Sequence, residues 1–382
     1  MNMPANLTGG GHSPRVLIVT HHSLSHEGPQ IRYLTELLCE QGAHVELLGP
    51  ISPVYQPRGV MILRVKPGRF QNVLTVFHGA WRALWRKYDL LIGVDESGCA
   101  ALVAASFLKP ENNARTVLYF LDLFLGSEGS RCTAFGRWAL RMRGHRVALV
   151  ADTNEQRCEL RREFLRVRGR HVAIHNAPPR SAPEAKTSGD SIYANCPARW
   201  IKILYTGGIH PAVQLDRAIE AIPLLKAPGM LYIVGPGQDE YVSSLKVLST
   251  KLGCQGSVVF SGVVPRGRLR ALASGADIGL AFYDNSSSAT LNHRLCSPNK
   301  VYEYMAAGLP TVCSANATLV DLVEKRGWGF CADTSDIAAV ARAIDRLASD
   351  AELRNEFKRN AGLLHQSEMN CEVQYAPIIA LL

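Results

Sequence analysis

Short β-branched runs alternate with amphipathic stretches along most of the chain, and this alternation restricts the fold more than any other feature. The first strand is predicted over residues 16–20. The helix after it is predicted over residues 30–41, where Ile31, Leu34 and Leu38 share one face. Strands and helices that alternate in this way form a parallel sheet with helices on both faces. The sequence therefore predicts a doubly wound α/β architecture.

The alternation stops once, in a segment rich in Pro, Ser, Ala and charged residues that has no apolar periodicity. It restarts with a strand predicted over residues 201–205 and a helix over residues 215–225. A chain of 382 residues is also long for a single hydrophobic core. We expect two Rossmann-like domains that face a central cleft. The predicted parts are a flexible tail over residues 1–13, an N-terminal domain over 14–176, a linker over 177–199 and a C-terminal domain over 200–382.

Composition excludes several classes of protein. With 47% hydrophobic and 20% charged residues, the chain is too apolar for a disordered protein. Its longest apolar runs are much shorter than the roughly 18 residues that a membrane span needs. The N-terminal tail lacks the basic and apolar regions of a signal peptide, and the ten cysteines include no CxxC pair. We therefore expect a cytoplasmic protein with reduced thiols and no zinc site.

The most informative segment is SPNKVYEYMAAGLP at residues 297–310. Ser297 is predicted to cap a helix whose first turn contains Pro298, and the Gly-Leu-Pro sequence ends that helix before a buried strand. The N–H groups at the start of such a helix, together with Lys300, can bind a diphosphate. Glu303 lies on the same face three positions later, where its carboxylate can bind hydroxyls of a nucleotide sugar. An ordinary capped helix with an i,i+3 ion pair explains the same residues.

The same segment, continued to SPNKVYEYMAAGLPTV, resembles the signature helix of retaining glycosyltransferase family 4, whose members have the GT-B fold. Three further segments are similar to the family's pattern and occur in the same order: LYTGG at residues 204–208, IVGPG at 233–237 and VVFSGVV at 258–264. Together they cover nearly all of residues 200–350. In the first half of the chain the resemblance is mostly architectural.

The resemblance implies transfer of a sugar from a nucleoside diphosphate sugar with retention of the anomeric configuration. Glu303 would bind the donor ribose, Lys300 would face the diphosphate, and Val263 would touch the base. Lys300 and Glu303 are also catalytic candidates. No protein nucleophile, cofactor or divalent metal is expected, since helix N-termini and basic side chains can stabilise the departing diphosphate. The donor-binding residues implied in this half are Gly207, Gly208, Val263, Ser297, Asn299, Lys300 and Glu303.

Two positions depart from the family's pattern. Leu295 stands eight positions before Glu303, where the family has a first glutamate that helps to hold the donor sugar ring. The lysine that usually follows the glycine turn is also absent, and only His210 could supply a cation there. Lys300, Arg294 or an arginine of the N-terminal domain would have to substitute for it. These departures leave open a non-catalytic protein of the same fold.

The N-terminal half offers candidate residues at the predicted strand ends. A Ser/His/Gly loop follows the first strand, and Gly28 and Arg32 are expected to reach the donor phosphates from it. The three histidines of this loop have no standard ligand spacing, so no metal is expected. Asp122 ends a strand where relatives place an acceptor contact, which makes it the acceptor-side catalytic candidate. Capping of a turn explains Asp122 equally well, and the same alternative applies to Asp95.

The positive charge of the chain is concentrated in its first half. Lys and Arg number 42 against 33 Asp and Glu, and residues 1–200 hold 25 of the basic and 16 of the acidic residues. Residues 70–87 place Trp81 and Trp85 on one stripe of a helix and Arg82 beside it. Such a helix either binds an anionic membrane surface or packs its aromatic residues on the sheet. No nucleic-acid-binding motif accompanies the charge, so nucleic acid is not expected as a partner.

The sequence thus predicts a glycosyltransferase that moves a sugar from a nucleoside diphosphate sugar to a glycan or lipid-linked acceptor in surface polysaccharide assembly. We expect it to be cytoplasmic, with peripheral attachment at the inner membrane face. Two other functions fit the residues: a non-catalytic GT-B scaffold or binding protein, and a sugar-nucleotide epimerase. An NAD-dependent dehydrogenase does not fit, because neither domain has G-x-G-x-x-G after its first strand.

Overall fold

The computed structural model divides the chain into two compact units. The first comprises the residues up to His175 together with Cys371–Leu382, and the second comprises Asn176–Asn370. Of the predicted N-terminal tail, only Ser13 is described. The structure describes residues 13–22, 29–52, 59–68, 70–123, 138, 140, 142, 146–165, 169–181 and 192–382.

Seven parallel strands form the sheet of the first unit, in the order β3-β2-β1-β4-β5-β6-β7. Every residue of β4 and β5 is buried because helices cover both faces of the sheet. In the register of the central strands, Val16 of β1 pairs with Val45 of β2 and with Leu90 of β4. The strands are β1 Arg15–Val19, β2 His44–Gly49, β3 Val60–Arg64, β4 Leu90–Val94, β5 Thr116–Phe120, β6 Leu149–Asp152 and β7 His171–Ala173.

The helices of the first unit follow the predicted alternation. Ile31, Leu34 and Leu38 of the first helix are fully buried against the sheet, as their spacing predicts. The helices described in this unit are α1 Pro29–Glu40, α2 Gln71–Trp85, α3 Asp95–Leu108 and α4 Glu155–Leu165. Shorter helical turns are Pro110–Arg115, Cys371–Gln374 and Ala376–Ile379.

The aromatic residues of α2 lie at the surface and not in the core. Trp81 is 56% exposed and Trp85 is 71% exposed. The helix instead turns small residues inward: Gly79 and Ala83 are buried, and a Cβ atom at Gly79 would lie 2.9 Å from a methyl group of Val19. The interpretation of these tryptophans as core residues is therefore wrong, because the close approach of α2 to the sheet leaves room only for small side chains.

The last twelve residues belong to the first unit, although the sequence predicted a C-terminal domain that continues to residue 382. Tyr375 and Ile378 are buried in the same core as the strands of the first sheet. The Tyr375 hydroxyl donates to the carbonyl of Gln30 at 3.0 Å and lies 3.3 Å from the Tyr119 hydroxyl. The chain thus returns to its first unit after completing the second.

Six parallel strands form the sheet of the second unit, in the order β10-β9-β8-β11-β12-β13. Its side chains alternate between two cores, one on each face: Ile203 and Tyr205 pack on one side, and Leu204 packs on the other. The strands are β8 Ile201–Thr206, β9 Gly229–Val234, β10 Val258–Gly262, β11 Ile278–Ala281, β12 Thr311–Ser314 and β13 Gly329–Ala332.

Helices cover both faces of this second sheet. The longer helices are α5 Leu215–Ala221, α6 Asp239–Lys251, α7 Leu269–Gly275, α8 Asn299–Ala307, α9 Ile337–Ser349 and α10 Ala351–Ser367. Shorter helical segments are Pro211–Val213, Ile222–Leu224, Gln255–Ser257, Arg266–Arg268, Leu291–Arg294, Ala317–Leu319 and Val320–Glu324. None of the helices among the described residues combines the length and the apolar character that crossing a membrane requires.

The described end of the predicted linker packs as part of the second unit. Tyr193 is buried there, and its hydroxyl donates to the carbonyl of Leu272 at 2.9 Å. Its ring meets the Tyr232 ring edge to face, with 4.8 Å between the centroids. The N-terminal segment of the first unit ends at His175, one residue before the predicted end of the N-terminal domain.

Both sheets reverse their strand order at the corresponding place, between β1 and β4 in the first unit and between β8 and β11 in the second. In open α/β sheets, ligands bind outside the carboxyl ends of the strands at this reversal. The residues that follow these strands are therefore the first candidates for ligand contact.

Candidate functional site

Glycines occupy the carboxyl ends of three neighbouring strands in the second unit. Gly207 after β8 has φ +125°, and Gly235 after β9 has φ +145°, conformations that other residues rarely adopt. A Cβ atom at Gly235 would lie 2.0 Å from the carbonyl oxygen of Gly207, so the two turns pack backbone against backbone. Gly208 is exposed. At the glycines predicted to flank phosphates, no side chain of their own covers the backbone.

Helix α8 begins at Asn299, with Pro298 in the N-cap position and no side chain capping it. The prediction that Ser297 caps this helix is wrong. The Ser297 hydroxyl shares a hydrogen bond of 3.0 Å with the Tyr302 hydroxyl, and its carbonyl accepts a bond of 2.6 Å from the Asn176 amide. Because proline takes the cap position, Ser297 is displaced one residue outward and its hydroxyl is bound inside the unit. Asn299 is partly exposed at the helix start.

The Lys300 side chain lies beside the glycine turn, against two aromatic rings. Its Nζ lies 3.7 Å from the centroid of the Tyr205 ring and 5.2 Å from that of Tyr283. A Cβ atom at Gly207 would lie 3.3 Å from the same Nζ. Lys300 is only 8% exposed. The fold therefore brings together the cation and the glycine turn that were assigned to a diphosphate.

Burial lowers the pKa of Lys300 to about 7. Burial also lowers the pKa of His210, with smaller contributions from the charges of Lys300 and His293. Basic groups that depress one another's protonation in this way recover it when an anion binds among them. The end of β8 is therefore chemically suited to hold a phosphate or diphosphate and to take up a proton as it does so.

Glu303 forms an ion pair that the sequence did not predict. An Nη2 atom of Arg266 lies 2.6 Å from Oε1 of Glu303. Burial raises the pKa of Glu303, while Arg266 and Lys300 act in the opposite direction. Arg266 begins a helical turn three positions after Val263. A basic residue in the turn that follows β10 was therefore the sequence feature that could have pointed to this ion pair. Val263 itself is 71% exposed and can contact a ligand.

The two departures from the family's pattern, Leu295 and the missing lysine after the glycine turn, both lie in the second unit. Leu295 ends the helical turn Leu291–Arg294 and is partly buried. Arg294, proposed as a substitute cation, is exposed. Lys300 and His293 both act on the pKa of His210 at the end of β8.

The predicted residues of the first unit have different outcomes. Gly28 lies outside the described residues. Arg32 is exposed and pairs with Glu36 of its own helix, Nε to Oε1 at 2.7 Å, so its guanidinium is directed to a neighbour one turn away. Asp122 follows β5 as predicted and is partly exposed. Its carbonyl accepts a hydrogen bond of 3.0 Å from Arg161.

A buried carboxylate beside two histidines is the main feature that sequence reasoning missed. Asp95 Oδ1 accepts hydrogen bonds from the backbone N–H groups of Leu121 at 2.7 Å and Asp122 at 3.1 Å. Its Oδ2 is hydrogen-bonded to Nε2 of His22, on whose ring His21 stacks with centroids 4.4 Å apart. Asp95 thus caps no helix of its own. The signal was the sequence order: a His-His pair directly after β1 and an acid directly after β4.

These three side chains are also close enough to share one ion. The ligand atoms of His21, His22 and Asp95 lie within 4.8 Å of one another. The expectation that the protein needs no metal stays a prediction.

The family of the second unit is indicated by sequence comparison. Residues 197–363 match the family model described as glycosyl transferases group 1. The matched region contains every donor-site residue predicted in the second half of the chain. The resemblance to glycosyltransferases is therefore confirmed at the level of this family.

Solved structures share the fold of the whole chain at low sequence identity. Anabaena Alr3699/HepE, solved with UDP and glucose, is 17% identical with a TM-score of 0.70, covering 94% of this chain and 97% of its own. A glycosyltransferase from Rickettsia africae is 13% identical with a TM-score of 0.72, covering 95% and 96%. WaaG, a glycosyltransferase of lipopolysaccharide biosynthesis, is 15% identical with a TM-score of 0.64, covering 96% and 98%. The predicted GT-B fold class is confirmed. No curated protein matches the chain by sequence.

Proposed function

We propose that the chain transfers a sugar, with retention of its anomeric configuration, from a nucleoside diphosphate sugar to a glycan or lipid-linked acceptor in surface polysaccharide assembly. The second unit would bind the donor and the first unit the acceptor. The group 1 glycosyltransferase domain supports glycosyl transfer. The UDP and UDP-glucose complexes of Anabaena HepE support a nucleotide-sugar donor. We place this activity in the cytoplasm.

The position of Lys300 carries the proposal. A lysine that is 8% exposed and lies over two aromatic rings is costly to keep charged, and no ion pair to its Nζ occurs among the described residues. Such a group is retained where its charge is used, as at an anion site. The glycine turn beside it and the start of α8 add backbone N–H groups and a favourable dipole for phosphate.

The same charges favour bond breaking at the donor. During transfer the bond between the anomeric carbon and the diphosphate breaks, and its electron pair leaves with the diphosphate. The oxygen of the acceptor hydroxyl forms the new bond to that carbon from the same face, and its proton passes to the departing diphosphate. Negative charge on the diphosphate grows as the bond breaks, so a fixed ammonium stabilises the transition state more than the intact donor. We therefore propose transfer without a divalent metal, which predicts that protein treated with a chelator keeps its activity.

Calorimetric titration with UDP and UDP-glucose tests the donor site, followed by transfer assays with the donor that binds. Glu303→Gln is expected to weaken donor binding about tenfold, because the amide removes the charge and one acceptor for ribose hydroxyls. Glu324→Gln is the matched control, because Glu324 is exposed on the same unit. A wild-type protein that binds and turns over no nucleotide sugar would refute the proposal.

A non-catalytic GT-B scaffold is the second candidate, and Leu295 favours it. A leucine cannot replace the carboxylate that the family's pattern places there, so the donor sugar ring loses one polar contact. This candidate predicts UDP binding without transfer or hydrolysis. A sugar-nucleotide epimerase predicts conversion of the donor with no acceptor present, which chromatography of the nucleotide sugars detects.

The exposed face of α2 supports attachment to an anionic membrane. Phe77, Trp81 and Trp85 are each more than half exposed, and stacked or tilted ring contacts join them into one aromatic stripe. Arg82 lies 3.0 Å from Glu46, and Arg86 lies 3.6 Å from the same carboxylate. One buried acid therefore offsets only part of the positive charge beside the aromatic stripe. Aromatic residues bordered by arginines are typical of an interfacial helix.

A further inference from the structure

Arg266 comes from the turn after β10, whose backbone is held in place by hydrogen bonds. Gly262 ends β10 with φ +66°, and its carbonyl accepts a hydrogen bond of 2.8 Å from the N–H group of Gly235. The carbonyl of Pro265 then accepts a bond of 2.9 Å from Arg268, which closes the helical turn that contains Arg266. The proposed function has so far given Arg266 no role.

The helix that follows this turn is anchored on the helix that carries Glu303. An Nη2 atom of Arg270 in α7 donates to the carbonyl oxygen of Ala306 in α8 at 3.0 Å. Leu272 of α7 is buried in the same core as the apolar residues of α8. These contacts hold α7 against α8, and the turn at the start of α7 thereby keeps Arg266 within reach of Glu303.

The ion pair between Arg266 and Glu303 is largely sheltered from water. Nη2 of Arg266 lies 2.6 Å from Oε1 of Glu303, where the Glu303 side chain is 18% exposed and the Arg266 side chain is 35% exposed. A hydrogen bond between two charged groups at this depth restricts the rotation of the carboxylate. An ionised carboxylate has about four acceptor positions, so one bond from a guanidinium leaves room for hydroxyl groups of a ligand.

Arg266 also supplies the lasting counter-charge for this carboxylate. Burial raises the pKa of Glu303, and the charges of Arg266 and Lys300 oppose that rise. Lys300 has a pKa of about 7, whereas a guanidinium keeps its charge at any ordinary pH. Other titratable or charged groups around this helix are Tyr304 on α8, Arg270 on α7 and Lys358 on α10. Arg266 is thus the permanent cation in direct contact with Glu303.

The spacing of Glu303 from Lys300 fits the order of groups in a nucleotide. Three residues of α-helix advance about 4.5 Å along the axis, so the two side chains leave α8 less than one turn apart. In a nucleoside diphosphate the ribose is bonded directly to the first phosphate. A diphosphate held at Lys300 therefore brings ribose hydroxyls into the neighbourhood of Glu303.

We infer that Arg266 is a positioning residue of the donor site, which orients the Glu303 carboxylate and balances its charge so that it accepts hydrogen bonds from the ribose hydroxyls of a nucleoside diphosphate. The inference deepens the proposed function and rests on it for the donor. Because Arg266 acts through Glu303, it affects recognition of the ribose hydroxyls and not of the diphosphate.

The first test compares UDP with 2′,3′-dideoxy-UDP, which lacks both ribose hydroxyls, by calorimetric titration of the full chain. Wild type should prefer UDP at least about tenfold. Arg266→Gln should reduce this preference to about twofold or less and leave the affinity for dideoxy-UDP within about twofold of wild type. Arg266→Lys retains a positive charge and should recover part of the preference. Arg342→Gln is the matched control, because Arg342 is exposed on the same unit and lies 3.2 Å from Asp336.

The pH profile of UDP-glucose binding separates positioning from a merely structural role. The diphosphate of this probe is esterified at both ends and does not titrate between pH 4 and 9, so the profile reports on the protein. Affinity should fall at acidic pH as Glu303 takes up a proton, and at alkaline pH as Lys300 loses one. Without the Arg266 charge the pKa of Glu303 rises, so in Arg266→Gln the acid limb should move to higher pH while the alkaline limb stays.

Three results with a protein that binds UDP would overturn the inference and leave the donor function standing. These are a wild type without preference for UDP over dideoxy-UDP, an unchanged preference in Arg266→Gln, and an equal loss of affinity for both nucleotides with the acid limb unmoved, which is the result of a structural role. Tighter UDP binding by Arg266→Gln would also overturn it, since Arg266 would then block Glu303. A folded wild type that binds neither UDP nor UDP-glucose would refute the UDP donor function, and this inference with it.

Discussion

The two units reverse their strand order at the corresponding place but carry different side chains there. In the second unit, the end of β8 carries bare glycine turns, a buried lysine and nearby histidines. In the first unit, the ends of β1 and β4 carry a buried carboxylate and two histidines. The two reversals therefore present different chemical groups to a ligand.

This contrast shows what topology decides and what single residues decide. The doubly wound sheet determines where a ligand can approach, since the crevice forms at the reversal in either unit. The residues directly after the strands then determine which ligand fits. In the second unit a buried lysine lies beside the glycine turn, whereas in the first unit histidines and an aspartate follow the strands.

Lys300→Met removes the buried cation that distinguishes the second unit from the first, and it has the largest expected effect. Methionine removes the ammonium with little change in volume, so donor turnover should fall about 10²- to 10³-fold. The free energy of unfolding should rise by about 1 kcal/mol or more, since a poorly paired buried amine is gone. Lys325→Met, at an exposed lysine paired with Asp321, is the control and should change neither quantity. Unchanged turnover in Lys300→Met would contradict an anion site at this lysine.

The pH dependence of UDP binding tests the same site without mutation. Lys300 has a pKa of about 7 in the folded protein against 10.5 as the usual value. UDP favours the charged amine, so its affinity should fall as pH rises from 7 to 9, with proton uptake measured by calorimetry in two buffers. Between pH 7 and 10.5 the unfolded chain binds more protons, so the contribution of Lys300 to ligand-free stability rises with pH. UDP affinity that is flat across this range would contradict the buried cation.

Alanine at the two close-approach glycines tests whether each unit depends on its own strand-end packing. Gly235→Ala places Cβ 2.0 Å from a carbonyl oxygen at a positive φ, and Gly98→Ala places Cβ 2.1 Å from one. Each should lower the free energy of unfolding of its own unit by about 3 kcal/mol or more. Hydrogen-exchange mass spectrometry locates the lost protection, and Gly256→Ala, with open space around it, serves as control. Loss of protection in both units from either variant would show that they are not independent.

The proposed membrane-binding face of α2 lies in the first unit, and a paired substitution tests the proposal. Replacing Trp81 and Trp85 by alanine should reduce sedimentation with phosphatidylglycerol vesicles about tenfold, because two exposed indoles leave the interface. High salt should weaken wild-type binding as well. Leu363→Ala removes a side chain that is 69% exposed on the second unit and should have no effect. Binding that ignores lipid charge and both tryptophans would contradict the proposal.

The smallest expected effect comes from a substitution that should stabilise the second unit without contacting its candidate site. Gly362 lies within α10, and a Cβ atom there would meet nothing within 4 Å. Gly362→Ala should raise the free energy of unfolding by about 0.5–1 kcal/mol through helix propensity. UDP affinity should stay at the wild-type value. A loss of affinity would mean that α10 influences the strand ends.

Most of the fold could be predicted from the sequence, because the elements are local and periodic. The first helix, predicted over residues 30–41, spans Pro29–Glu40 and buries its predicted face. The return of Tyr375 to the first unit could not be predicted, since a short apolar turn fits either core equally well. The sequence left two interpretations of the α2 tryptophans open, because the small residues on the opposite face of the helix give almost no periodic signal.

The site was predictable where one segment contains it. Lys300 and Glu303 come from a single helix, so their spacing already indicated a shared face. Arg266 and the His22–Asp95 pair join residues that are 37 and 73 positions apart in the chain. Only the folding of the chain brings these residues together, and a single sequence carries no record of that contact.

The return of residues 371–382 to the first unit has a consequence for synthesis of the protein. The ribosome synthesises the whole second unit before it adds Tyr375, which completes the core beside Tyr119. The first unit therefore waits with part of its core open until the second unit has been synthesised. A chaperone that binds the nascent chain would accordingly be needed longest by the half that was made first.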